Sequence, residues 1–143
     1  MLNQIYTTCE FIKEKTNFIP EYGVILGSGL GNFAEDINIE FTLPYTDIPN
    51  FPVSTVSGHK GALLFGTVGT KKVVAMQGRF HYYEGYDMKE VTFPIRVMKR
   101  LGVTKLIVAN ASGGVNHHYK VGSVVIITNH INMMPEHPLR GLN

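Results

Sequence analysis

The sequence predicts an α/β fold: a mixed, mostly parallel central sheet with flanking helices. Three observations carry that expectation. Short apolar runs recur along the chain, among them Val24-Ile25-Leu26, "ALLFGTV" (62–68), "KKVVAMQ" (71–77) and "TKLIVANASGG". Stretches of helical period alternate with them. Three of the runs end in polar, glycine- or small-residue-rich loops, "GSGLG", "QGRFHYY" and "NASGG". In open α/β sheets ligands lie beyond the carboxyl ends of the strands, so three such loops point to one edge.

The elements follow in order. Residues 3–16 form an amphipathic helix, with Ile5, Cys9 and Ile12 on one face. Val24, Ile25 and Leu26 are continuous and apolar, the mark of a strand covered on both faces. Gly27, Gly29 and Gly31 end it, and "NFAEDI" opens a helix. Residues 43–61, with three prolines, read as a long loop. "ALLFGTV" and "KKVVAMQ" are strands joined by a glycine-containing turn. Asp87 and Glu90 have capping-box spacing. Met88, Val91, Ile95, Met98 and Leu101 then mark one helical face, which Gly102 closes. Pro94 is expected to kink that helix or delay its start. "TKLIVANASGG" gives another buried strand and "VGSVVIITNHIN" one more, while "PEHPLRGLN" has no partner element. Neither a repeat nor a linker divides the chain.

Composition narrows the function classes. The chain has 143 residues, 44% apolar and 17% charged, which suits one domain with a core. Its net charge is +2 with scattered Lys and Arg, so no nucleic-acid surface is expected. The single cysteine, Cys9, excludes an internal disulfide and suits a reducing compartment. The start lacks the apolar stretch of a signal peptide, and the longest apolar run, "VVII" at 124–127, is too short for a bilayer. A cytoplasmic protein without membrane partners is expected.

The loops carry the chemistry. "GSGLG" exposes backbone N–H groups near a helix start, a nest for an anion to which Ser28 adds a hydroxyl. A glycine turn that only lets strand and helix pack reads the same way. No Lys-Ser/Thr follows, so the triphosphate-binding loop is missing. A dinucleotide fingerprint would need a glycine at Asn32, and its acid would have to be Asp47, among prolines. A nicotinamide-dependent oxidoreductase therefore ranks last. Arg79 and His81 share a face if the chain is still extended there, and Tyr83 continues it. Arginine offers a planar fork for phosphate oxygens, histidine a second donor, tyrosine a ring and hydroxyl suited to a sugar. A surface arginine and a hydrogen-bonded histidine are the alternative. In "NASGG" the Ala111 amide can serve an anion or simply a turn, and His59 in "SGHKG" lies in the long loop as a cover or a surface residue. His117, His118, His130 and His137 lack ligand spacing, so no metal site is expected, and His130 reads as a structural histidine.

Together, "GSGLG", "IPNFPVSTVSGHKG", "MQGRFHYYEGY", "VTFPIRVMKRLGV" and "NASGGVN" resemble, in order and spacing, the homotrimeric class of purine nucleoside phosphorylases, from about residue 20 onward. The resemblance implies a nucleoside phosphorylase-like fold, with residues 1–143 the amino-terminal part of a single domain. It implies phosphorolysis of purine (deoxy)ribonucleosides to free base and (deoxy)ribose 1-phosphate, without metal or organic cofactor, inorganic phosphate being a co-substrate. Ser28, Arg79, His81 and the Ala111 amide would hold phosphate, with His59 close by, and Tyr83 would contact ribose. Ser112 stands where the family commonly has alanine. Family members continue past "PLRGLN", and their acid and amide that grip the purine lie beyond Asn143. The chain by itself is therefore expected not to turn over. A methylthioadenosine phosphorylase-like enzyme, and an inactive piece that keeps part of a phosphate site, are the alternative readings.

Overall fold

A computed structural model of the chain describes residues 1–27, 31–53 and 61–141. Its frame is a five-stranded mixed sheet of order β2-β3-β4-β1-β5. The strands are β1 (Tyr22–Ile25), β2 (Asn38–Pro44), β3 (Ala62–Val68), β4 (Lys71–Gln77) and β5 (Lys105–Val108). Helices α1 (Leu2–Lys15) and α2 (Met88–Leu101) accompany them. β1 runs parallel to both β4 and β5, while β2–β3 and β3–β4 are antiparallel.

Period-two alternation divides β3 and β4 between two cores. Leu63, Phe65, Val74 and Met76 face α1 and α2, where they meet Ile5, Cys9 and Ile12 of α1 and Phe93, Val97, Met98 and Leu101 of α2. Ala62, Leu64, Val73 and Ala75 face the other way, with Val24, Leu26 and Ile37. Cys9 is fully buried, and that burial pushes its thiol up to about 11 although Lys13 and Arg100 pull it back. It is a packing residue, not a nucleophile.

α2 starts where its capping box predicts. Asp87 accepts from the Glu90 amide at 2.7 Å, and Glu90 accepts from the Asp87 amide at 2.8 Å. Pro94 lies inside the helix, buried, and does not delay its start. Gly102, at φ 122°, ends it.

Four expectations need correction. Residues 38–44 are a strand, whereas the sequence pattern placed 43–44 in a loop and gave 38–42 no element; a register shift between Ile39 and Phe41 breaks the alternation that would have revealed it. "NFAEDI" lies in a 3₁₀ turn, Gly31–Asp36, rather than an α-helix. β5 is not buried: Leu106, Ile107 and Val108 are 41%, 53% and 58% exposed, because β5 is the edge of the described sheet and, among the described residues, pairs only with β1. "VGSVVIITNHIN" forms no strand, and His130 within it is exposed. Among the described residues it has no ladder neighbour to satisfy its backbone.

Candidate anion site at three strand ends

β4, β1 and β5 are adjacent and parallel, so their carboxyl ends share one edge. Ile25 pairs with both Met76 and Val108, which brings the following residues of all three strands level. The Ala109 amide donates to the Ile25 carbonyl at 3.2 Å. Gly27 lies so close to the end of β5 that a Cβ there would stand 2.4 Å from the Ala109 carbonyl oxygen. Only glycine fits that approach.

β4 delivers the cation. Past Gln77, Gly78 turns the chain at φ 100°, and Arg79 reaches across to the end of β5. Its Nη1 donates to the Ala109 carbonyl at 3.0 Å. Its Nε donates to His81 Nε2 at 3.1 Å. Two of the five guanidinium N–H groups are thereby engaged among the described residues, and the fork is held in one orientation.

Glu84 orients the imidazole. Its carboxylate accepts from the His81 backbone amide at 3.0 Å and lies 2.6 Å from His81 Nδ1. With Nδ1–H given to Glu84 and Nε2 accepting from Arg79, the contacts fit the neutral Nδ1–H tautomer. The Glu84 side chain is almost fully buried, at 3% exposure. Extended backbone ends at His81, and Tyr82–Glu84 form a 3₁₀ turn closed by Gly85 at φ 96°. Tyr83 therefore does not continue a strand face, as its spacing suggested. The turn instead stacks its ring on His81, with centroids 4.7 Å apart and planes 19° from parallel. Its outer side is open: Tyr83 is 78% exposed.

The structure thus brings Arg79, His81 and Tyr83 together. Ala111 is exposed just beyond β5, and it is the carbonyl of Ala109 that Arg79 reaches. Ser28 and His59 lie outside the described residues. Asp47 is exposed, in a 3₁₀ turn after β2. No cluster of three metal-ligating side chains occurs among the described residues. None of their helices is long and apolar enough to cross a membrane. Sequence reasoning missed Glu84 and Ala109. For Glu84 a signal existed, the i,i+3 spacing from His81 that mimics a capping box.

The model of the phosphorylase superfamily matches residues 21–143. Purine nucleoside phosphorylase 1 of Geobacillus stearothermophilus is 55% identical over 139 residues, covering 97% of this chain and 51% of that protein. The Bacillus subtilis protein of the same name is 54% identical over 143 residues, 100% of this chain and 53% of its own length. Among solved structures, a purine nucleoside phosphorylase in complex with ribose-1-phosphate superposes with a TM-score of 0.78 at 51% identity, over 83% of this chain and 44% of its own. The Schistosoma mansoni enzyme in complex with acetate gives 0.78 at 51% identity, over 82% and 43%. The chain spans about half the length of the curated relatives it matches.

Proposed function

The chain belongs to the phosphorylase superfamily, and from that premise we propose that its strand-end site binds inorganic phosphate for the phosphorolysis of purine nucleosides. The observation that carries this reading is the Arg79 guanidinium, fixed between the Ala109 carbonyl and His81 where three strand ends meet. An oriented fork matches phosphate oxygens two at a time. Tyr83, stacked on His81 with its outer side exposed, supplies a surface for the sugar beside the anion. Ser28, His59 and the Ala111 amide complete the proposed phosphate shell.

In the reaction the N-glycosidic bond breaks and its electron pair leaves with the purine. A phosphate oxygen forms the new bond to C1′, giving pentose 1-phosphate, and the base takes up a proton. Positive charge develops on the sugar meanwhile, and an anion held beneath C1′ stabilises it. Phosphate is a competent nucleophile at neutral pH, so this chain's residues position rather than activate it. Arg79, aimed by the Ala109 carbonyl, would fix the anion; Glu84 would hold His81 in register. Metal and organic cofactors have no part in this proposal. The residues that grip the base are assigned to sequence beyond Asn143, and the complete protein to a cytoplasmic homotrimer.

Calorimetric titration of the chain with inorganic phosphate tests the site. Arg79→Ala is expected to weaken binding by at least roughly tenfold, the loss of charge-assisted hydrogen bonds. An unchanged affinity removes Arg79 from the site. Inosine phosphorolysis assayed on residues 1–143 tests the division of labour: clear turnover would show that the base site is complete without further sequence.

A further inference from the structure

Tyr45 is distant from Arg79 in sequence, yet it holds the backbone on both sides of it. Its hydroxyl donates to the Gly78 carbonyl at 2.7 Å. Its ring packs on Phe80, centroids 5.2 Å apart, with Phe51 on it as well at 5.5 Å. Its own amide donates to the Gly61 carbonyl at 2.8 Å, joining the end of β2 to the start of β3. Tyr45 is 1% exposed.

These contacts fall where the chain needs an external hold. The β3–β4 ladder ends at the pair Ala62–Gln77, so from Gly78 onward the strand no longer fixes the path. Gly78 has a positive φ, and glycine, which crosses to other conformations readily, does not lock a turn by itself. A hydrogen bond to residue 78 and a ring against residue 80 restrain both peptides that flank Arg79. Small rotations of those peptides would be magnified along the arginine stem. Burial raises the phenol's pKa far above its ordinary range, so the hydroxyl stays a donor throughout.

We infer that Tyr45 is a positioning residue that sets the Gly78–Phe80 turn and thereby aims the Arg79 guanidinium at the anion. The inference deepens the phosphate-site reading and rests on it for its ligand. Tyr45→Phe keeps the ring contacts and removes only the hydroxyl. In the full chain it is expected to weaken inorganic phosphate roughly 3- to 10-fold by calorimetry, the range of one lost hydrogen bond. In an Arg79→Lys background, where the fork is gone, the same change is expected to cost less than about twofold, since coupled residues are non-additive. A merely structural tyrosine would lower the melting temperature and leave affinity alone. An affinity within twofold of the parent, or an equal loss in the Arg79→Lys background, overturns the inference.

A second measurement separates this inference from the phosphate reading. Solvent exchange of the Arg79 Nε–H, followed by NMR without phosphate, is expected to quicken severalfold in Tyr45→Phe. If Arg79→Ala binds phosphate like the parent, the phosphate reading fails, and the exchange rate still decides Tyr45: no change overturns its role. Should Tyr45→Phe not fold, Phe80→Leu loosens the opposite side of the same clamp. It is expected to weaken phosphate at least twofold and to quicken the exchange, and an unchanged value of both overturns the inference.

Discussion

In β3, Leu63 and Phe65 are completely buried, whereas Val124 and Ile126, in an equally apolar run further along, are 94% and 86% exposed. Composition does not separate the two segments. Neighbours do. β3 has β2 on one side and β4 on the other, with α1 and α2 residues over its Leu63–Phe65 face. Residues 124–127 have no ladder partner among the described residues. Burying such a side chain contributes about 1.5–3 kcal/mol, but only where a partner surface exists. β5 is intermediate: it is paired on one edge, and Leu106–Val108 are still roughly half exposed. The proposed anion site therefore rests on the well-packed ends of β4 and β1 and reaches outward to the less covered β5 through Arg79.

The largest expected effect tests that contrast directly. Phe65 touches Phe18 and Phe41 as well as the helix layer. Phe65→Ala should lower unfolding free energy by about 3–5 kcal/mol in urea titration. Ile126→Ala should change it by less than about 0.5 kcal/mol. Equal costs at the two positions would mean that residues 124–127 are packed as firmly as β3, and the comparison would break.

The same contrast explains what could be read from sequence. β3 and β4 were legible because their apolar runs are clean and Gly69, at φ 57°, marks the turn between them. α2 was legible because its cap is local chemistry, Asp87 and Glu90 three residues apart. β2 was hidden by its bulge, and the edge exposure of β5 by the fact that strand order is a tertiary property. In the site, Arg79 and His81 announced themselves by residue type. Glu84 did not, since its spacing matters only once a turn places it against Nδ1 of the imidazole. The Ala109 carbonyl and the Tyr45 hydroxyl could not be found at all: they lie 30 and 33 residues from their partners, and any backbone carbonyl or core tyrosine looks alike in sequence.

A middling effect sharpens the local side of the comparison. Asp87 is exposed and contributes to no core, yet it begins the helix that covers Phe65. Asp87→Ala should cost about 1 kcal/mol by urea titration, the ordinary value of an N-cap. A loss comparable to that of Phe65→Ala would mean that α2 depends on its cap more than on its buried face.

The smallest effect concerns the edge that β5 shares with β1. Lys105 Nζ donates to the Glu21 carboxylate and, at 3.2 Å, to the Tyr22 hydroxyl, so the pair fastens the start of β5 to the start of β1. That hydrogen bond holds the Glu21 carboxyl below its ordinary value of 4.5 and raises Lys105 above 10.5. A carboxylate whose pKa is depressed by folding contributes stability that is present above 4.5 and is lost as pH falls through the folded value; the ammonium contributes below 10.5 and loses that contribution as pH rises past its raised value. Both groups are open to solvent, so screening keeps the effect small. Unfolding free energies of the parent and of Glu21→Gln should differ slightly at neutral pH, converge as pH falls below the ordinary value of 4.5 and through the folded one, and differ less in roughly 1 M salt. The absence of any gap at neutral pH would mean that Glu21 holds the edge through its backbone, whose carbonyl accepts from the Thr104 and Lys105 amides at 2.9 and 3.3 Å, and not through its charge.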